Sequence, residues 1–212
     1  MKLVFDLDGT LTDPALGVVR CMNYALTTFD YAPLADAEIT QHIGPPLELT
    51  IARLTASEDK AHIDAVAAAY RERYGELGFR ENEVYAGVAE MLEALQSAGH
   101  SMGVCTSKLQ INADRVIEAF ALDGFFEFIH GSSHHSNKTE QLAELLQQGV
   151  IDGDAIMIGD RAMDLIAAHS NGLRSAGVLW GYGSREELSA ESPSYLFHKP
   201  AQLAAELTTT SD

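Results

Sequence analysis

Basic residues are scarce in this 212-residue chain: 14 Lys and Arg face 31 Asp and Glu, for a formal net charge of −17. So acidic a surface excludes nucleic-acid binding, which relies on Lys and Arg neutralising phosphates, and it disfavours anionic lipid. Long apolar runs are also missing. Nothing approaches the ~18 residues that a transmembrane helix needs, and Asp6 cuts off the apolar core that a signal peptide would require. There are two cysteines, Cys21 and Cys105, both in apolar surroundings. They are too few for a disulfide scaffold and read as buried free thiols in a reducing compartment. What is present is ordinary for a globular protein, with 46% hydrophobic and 21% charged residues. The expectation is a soluble, acidic, cytoplasmic protein, by default a monomer, without nucleic-acid or membrane partners.

Short apolar runs at residues 3–7, 102–105, 125–129, 155–158 and 176–179 alternate with helix-like segments at 88–98, 111–120, 139–148 and 163–170. That alternation predicts a doubly wound α/β fold with a parallel sheet. The spacings leave room for the crossover of about a dozen residues that each parallel pair requires. From about residue 14 to about residue 80 no strand is expected. Residues 16–29 and 61–74 carry apolar side chains at helical spacing, and Pro33, Pro45 and Pro46 punctuate the stretch. The predicted organisation is an α/β core, residues 1–14 and 81–212, with an all-helical insert at 15–80. The tail from Thr208 is small and polar and is expected to fray.

The chemistry begins at Phe5-Asp6-Leu7-Asp8-Gly9-Thr10-Leu11-Thr12-Asp13. An apolar strand delivers Asp6 and Asp8 to one side of the chain at its carboxyl end, where open α/β sheets bind ligands. A simple Asp-Gly turn leaves an Asp inside an apolar run unexplained, because buried carboxylates are costly unless paired or metal-bound. A second strand ends at Ile158-Gly159-Asp160, and Asp164 follows four residues later. A helix starting there would turn both acids to one pocket, whereas helix capping explains one acid and not the pair. At Cys105-Thr106-Ser107-Lys108 a hydroxyl and free N–H groups are expected at a helix start, either an ordinary N-cap or a phosphate seat. Lys138 opens the next helical segment.

These pieces argue more strongly together. If Asp6, Asp8, Asp160 and Asp164 converge with Lys138 as the nearby cation, each like-charge pair at 4 Å costs about 4 kcal/mol at an effective dielectric near 20. A divalent ion removes the conflict, and an all-oxygen set favours Mg²⁺. Acids, Mg²⁺ and a hydroxyl/N–H cradle are equipment for phosphoryl transfer.

The ordered set Asp6-Leu-Asp-Gly-Thr-Leu-Thr-Asp13, Thr106, Lys138 and Gly159-Asp160 to Asp164 resembles the haloacid dehalogenase superfamily of phosphohydrolases. The insert resembles the cap of its helical-cap members. The stretch Trp180-Gly-Tyr-Gly-Ser-Arg-Glu-Glu-Leu188 is similar to phosphoglycolate-phosphatase-like proteins. The resemblance implies that Asp6 is the nucleophile that forms an aspartyl-phosphate, and that Asp8 is the general acid and base. It implies that Mg²⁺ is held by the Asp6 side chain, the Asp8 backbone carbonyl and Asp160, with Asp164 in support. Thr106, with Ser107 N–H, would bind phosphoryl oxygens and Lys138 would neutralise charge; Lys108, from its place near Thr106, is expected to touch substrate.

Within the superfamily that the chain resembles, dehalogenases and phosphonate-cleaving enzymes lack an acid two residues after the nucleophile, so the resemblance together with Asp8 implies oxygen-linked phosphate chemistry. Lys138-Thr139 stands where the family often has Lys-Pro. The expected activity is Mg²⁺-dependent hydrolysis of a small phosphate monoester, phosphoglycolate-like. The alternatives are a nucleoside monophosphate, pyrophosphate, a sugar-phosphate mutase, or a binding protein without turnover.

The remaining features have bland readings. Gly44-Pro45-Pro46-Leu47 is either a substrate-facing cap loop or a Pro-rich turn. Arg20 and Arg53 are cations of the insert that either meet a second anionic group of the substrate, such as a carboxylate, or, as expected here, are solvated or pair with nearby acids. His134-His135 reads as a surface loop, since no Cys or acid sits at ligand spacing. Tyr70, Tyr74 and Met91 read as packing residues.

Overall fold

The structure is a computed structural model that describes residues 1–133 and 137–209. Its strands are β1 (Lys2–Phe5), β2 (Thr12–Asp13), β3 (Glu83–Val84), β4 (Ser101–Leu109), β5 (Phe128–Ser132), β6 (Ile156–Gly159), β7 (Arg174–Val178) and β8 (Tyr195–Phe197). Its helices are α1 (Ala15–Thr28), α2 (Asp36–Thr40), α3 (Leu47–Thr55), α4 (Lys60–Glu76), α5 (Val88–Ser97), α6 (Gln110–Ala119), α7 (Lys138–Gln147), α8 (Ala162–Ser170), α9 (Arg185–Ala190) and α10 (Pro200–Thr209). The chain divides into two compact units, Met1–Asp13 with Val84–Asp212, and Pro14–Glu83.

In the first unit six strands form one sheet in the order β5-β4-β1-β6-β7-β8, and every neighbouring pair is parallel. The expected doubly wound α/β fold is therefore present. Leu3, Val4 and Phe5 of β1 are completely buried, as strands covered on both faces must be. Burying each such side chain contributes about 1.5–3 kcal/mol. Because β4 and β6 flank β1 and the strand order runs outward from it in both directions, the carboxyl end of β1 lies at the topological switch point where such sheets hold their ligands. β2 and β3 form a separate two-stranded sheet.

The second unit is built from α1 to α4 around an apolar cluster of Val19, Met22, Ala25, Leu26, Ile39, Ile51, Ile63, Val66 and Ala67. Pro46 stands immediately before α3, where its missing N–H is no loss. Tyr74 is buried and stacks on Tyr70, and Met91 is buried in the first unit, so all three are packing residues. Both cysteines are buried and neither forms a disulfide. No helix among the described residues is long and apolar enough to cross a membrane.

Some local expectations are corrected. The strand expected at 125–129 starts at Phe128, because residues Asp123–Phe125 wind into a 3₁₀ turn. β8, α9 and α10 lie in a region for which no elements were expected; β8 has 3 residues and α9 has 6, too few to show a period. β4 does not end at Cys105 but continues to Leu109. His134 and His135 lie outside the described residues, as does the tail beyond Thr209.

Candidate active site

Asp6 continues the register of β1: its N–H donates to Ile158 O (2.8 Å), so the side chain leaves the sheet at a set height. The chain then turns on Leu7 O, which accepts from the N–H groups of Leu11 (2.9 Å) and Thr12 (3.0 Å). Gly9 has φ +88, and a Cβ there would lie 2.2 Å from Asp160 Oδ2, so both backbone and space demand glycine. This loop brings the end of β1 against the end of β6.

Asp160 is fully buried and is not a helix cap. Its Oδ1 accepts from Thr10 Oγ1 (3.1 Å) and its Oδ2 from Tyr182 N–H (2.8 Å). Residue 181 must be glycine for the same packing reason, since its Cβ would fall 2.2 Å from Gly9 O. Trp180 Nε1 donates to Thr10 O (2.9 Å), and Tyr182 OH donates to Asp13 Oδ1. The 180–182 segment thus clamps the 6–13 loop from a distance in sequence of about 170 residues. The capping acid of α8 is Asp164, whose Oδ2 accepts from Arg161 N–H (3.0 Å).

Lys138 begins α7, behind the N-cap Asn137, whose side chain accepts from Glu140 N–H. Its Nζ lies 2.9 Å from Asp6 Oδ1 and also donates to Asp164 Oδ1. Burial alone would lower the Lys138 pKa, but the carboxylates of Asp164 and Asp6 outweigh it and hold the ammonium charged. Asp6, Asp160 and Asp164, all buried, offer oxygens within 4.8 Å of one another. Burial first, then the neighbouring Asp164 and Asp6 charges, pushes Asp160 up to about 8. Burial against the opposing pull of Lys138 pushes Asp164 up to about 6. Three hard oxygen donors with one ammonium leave a negative excess in a desolvated site, and a divalent hard cation such as Mg²⁺ fits that donor set. Asp8's carboxylate stands outside this cluster, so only its backbone remains as a ligand in the expected set.

Where Thr106 was expected at a helix start, the structure has a bulged strand. Cys105 pairs with His130 and Leu109 with Ser132, so four steps along β4 match two along β5. Thr106, Ser107 and Lys108 occupy the irregular stretch, and α6 begins only at Gln110. A bulge re-aims side chains at the cost of ladder hydrogen bonds. Gln141, fully buried on α7 one turn beyond Lys138, repairs part of that cost by donating Nε2–H to Thr106 O (3.1 Å) and to His130 O (3.4 Å). Lys108 N–H donates to Thr106 Oγ1 (3.3 Å). Lys138 is not the only cation near the acids, because Lys108 Nζ lies 2.7 Å from Asp8 Oδ2. Burial raises the Asp8 pKa despite the opposing Lys108 charge. Gln141, Trp180 and Tyr182 escaped sequence reasoning, although the last two fall in the stretch that carried the family resemblance.

Arg20 pairs with Glu81 (2.8 Å), as expected of a cation amid acids; Arg53 lies on α3.

The profile of the haloacid dehalogenase-like hydrolases matches residues 3–178. A 5'-nucleotidase of Pseudomonas aeruginosa is 39% identical over 208 residues, 96% of this chain and 92% of that protein. A phosphoglycolate phosphatase of Agrobacterium fabrum is 31% identical over 189 residues, 84% of this chain and 80% of that protein. The crystal structure of a predicted phosphatase from Clostridium acetobutylicum superimposes with a TM-score of 0.91 at 33% identity, covering 98% of each chain.

Proposed function

This chain belongs to the haloacid dehalogenase-like hydrolases and is a phosphatase of that family; from there we propose that it hydrolyses a small soluble phosphate monoester with Mg²⁺, through an aspartyl-phosphate on Asp6. The observation that carries the reading is the buried grouping of Asp6, Asp160, Asp164 and Lys138 at the switch point of the sheet.

Asp6 Oδ attacks phosphorus while Asp8 protonates the departing ester oxygen; Asp8 then takes a proton from the water that cleaves the aspartyl-phosphate. Thr106 Oγ1 and Ser107 N–H bind the phosphoryl oxygens. Lys138 offsets the charge that gathers between nucleophile and phosphate. Asp6 and Asp160, with the Asp8 backbone carbonyl, would hold Mg²⁺ and Asp164 would support them; when bound, the ion polarises the phosphoryl oxygens and neutralises their charge. We assign the helical unit the role of the cap that selects substrate.

Two substrate classes are supported. A small acid phosphate such as phosphoglycolate accords with the 180–188 stretch and with the Agrobacterium relative. A nucleoside monophosphate accords with the Pseudomonas 5'-nucleotidase, whose identity is higher. The test is phosphate release from a panel holding both classes, pyrophosphate and a hexose phosphate, with and without EDTA, for wild type and Asp6→Asn. Release that needs Mg²⁺ and vanishes in the variant is expected. Hexose-phosphate isomerisation with little free phosphate would replace the phosphatase with a mutase.

A further inference from the structure

We propose that Lys108 is a positioning residue for Asp8: it anchors Oδ2, so that Oδ1 is the oxygen that passes the proton to the leaving group and later accepts one from water. The inference rests on the phosphatase reading and names a residue that acts through Asp8 rather than on the substrate.

Three observations converge on it. Lys108 Nζ stands 2.7 Å from Asp8 Oδ2, with side-chain exposures of 8% and 19%, which places the pair apart from mobile surface ion pairs. Among the described residues, Asp8 Oδ1 is buried and has no hydrogen-bond partner. An orphaned buried acceptor is costly, and this one belongs to the carboxylate that the phosphatase reading makes the general acid and base. Lys108 is also delivered by a specific device, the β4 bulge, which Gln141 holds at Thr106 O (3.1 Å) and the Thr106 hydroxyl holds at Lys108 N–H (3.3 Å). The two lysines thereby divide the acids: Lys138 serves Asp6 and Asp164, and Lys108 serves Asp8.

The anchoring survives both half-reactions. A protonated Asp8 carries its proton on Oδ1, and its carbonyl oxygen Oδ2 still accepts from the ammonium. The Oδ1–H proton moves to the ester oxygen as the P–O ester bond breaks and the P–O bond to Asp6 forms. In the second half, Oδ1 takes a proton from water as water oxygen bonds to phosphorus and the Asp6–phosphorus bond breaks. Lys108 keeps its protons throughout.

The experiment compares kcat/KM, which covers events up to leaving-group departure, for wild type, Lys108→Met, Asp8→Asn and the double variant. Two substrates are used: an alkyl phosphate that wild type hydrolyses, and acetyl phosphate, whose acetate departs without a proton. Lys108→Met is expected to lose about 10- to 100-fold on the alkyl phosphate, part of the ~10²–10⁴-fold typical of general acid–base catalysis, and little on acetyl phosphate. The double variant should be no worse than Asp8→Asn, the mark of two residues acting as one unit. Equal losses on both substrates, or losses that add in the double variant, would overturn the proposal. Should Lys108→Met not fold, Lys108→Gln keeps a neutral N–H donor group and should show a smaller loss with the same substrate split; no split there also overturns it. Wild type that releases no phosphate from any substrate defeats the phosphatase reading itself, whereas an absent split defeats only the role of Lys108.

Discussion

The helical unit and the sheet unit bury different kinds of side chain. The core of residues 14–83 is an apolar cluster, and its buried polar residues are Thr50 and Asn82, both neutral. Its main ion pair, Arg73 with Glu81 (2.8 Å), keeps 17% exposure on each side chain. The sheet unit instead buries Asp6, Lys138, Asp160 and Asp164, four ionisable groups within one site. Apolar packing is what stabilises a unit, whereas buried charges often stabilise no more than well-packed hydrophobes would. The first unit therefore spends stability on chemistry, and the second carries little but packing.

The contrast can be broken from either side. The largest effect is expected for Asp6→Asn, which should reduce phosphate release by at least about 10³-fold, the scale seen when a nucleophile is removed. The same substitution should leave the melting temperature level or raised, because it takes one charge out of a crowded set of acids; a collapse of the melt would mean that Asp6 is structural. Lys138→Met removes the shared counter-cation and should cost about 3–5 kcal/mol in urea unfolding. Part of that loss should return with added Mg²⁺, since a ligand at 100 times its Kd adds about 2.7 kcal/mol; no recovery with Mg²⁺ would speak against a cation site among these acids. Ile51→Ala in the helical unit should cost about 2–5 kcal/mol, with Mg²⁺ binding by calorimetry unchanged.

The smallest effect is a pH dependence. Glu81 is held below its ordinary range first by its hydrogen bond to Arg73, and Arg20 adds to this. A depressed carboxyl contributes stability that is complete above its unfolded pKa of about 4.3 and is lost as pH falls through its folded value. Glu81→Gln should therefore cost about 1 kcal/mol at neutral pH and nothing at strongly acid pH, and should flatten the acid limb of the stability curve. Equal destabilisation at all pH values would assign the loss to packing instead.

Asp6 and Asp160 could be read early because each sits where an apolar strand stops, and a charge beside Leu3, Val4 and Phe5 or Ile156, Met157 and Ile158 is costly unless paired or metal-bound. Lys138 could be placed at the start of a helical segment, but its role was legible only through the family resemblance, since a single lysine has no local signature. The bulge in β4 could not be read, because two extra residues between Cys105 and Leu109 show only against the partner strand. Without the bulge, neither the role of Gln141 nor the pairing of Lys108 with Asp8 has a local signature. The clamp of Trp180 and Tyr182 on Thr10 and Asp13 is likewise a contact between distant segments.

By itself the sequence determined the α/β class, the helical stretch that follows β1, and the strand-end acids, because hydrophobic period and the cost of burying charge act over a few residues. Only the tertiary structure decided which oxygens face which cations: Asp160 between Thr10 and Tyr182, Asp164 and Asp6 on Lys138, Asp8 on Lys108. Those pairings depend on strand order and register, which are set by long-range backbone ladders and have no counterpart in local sequence.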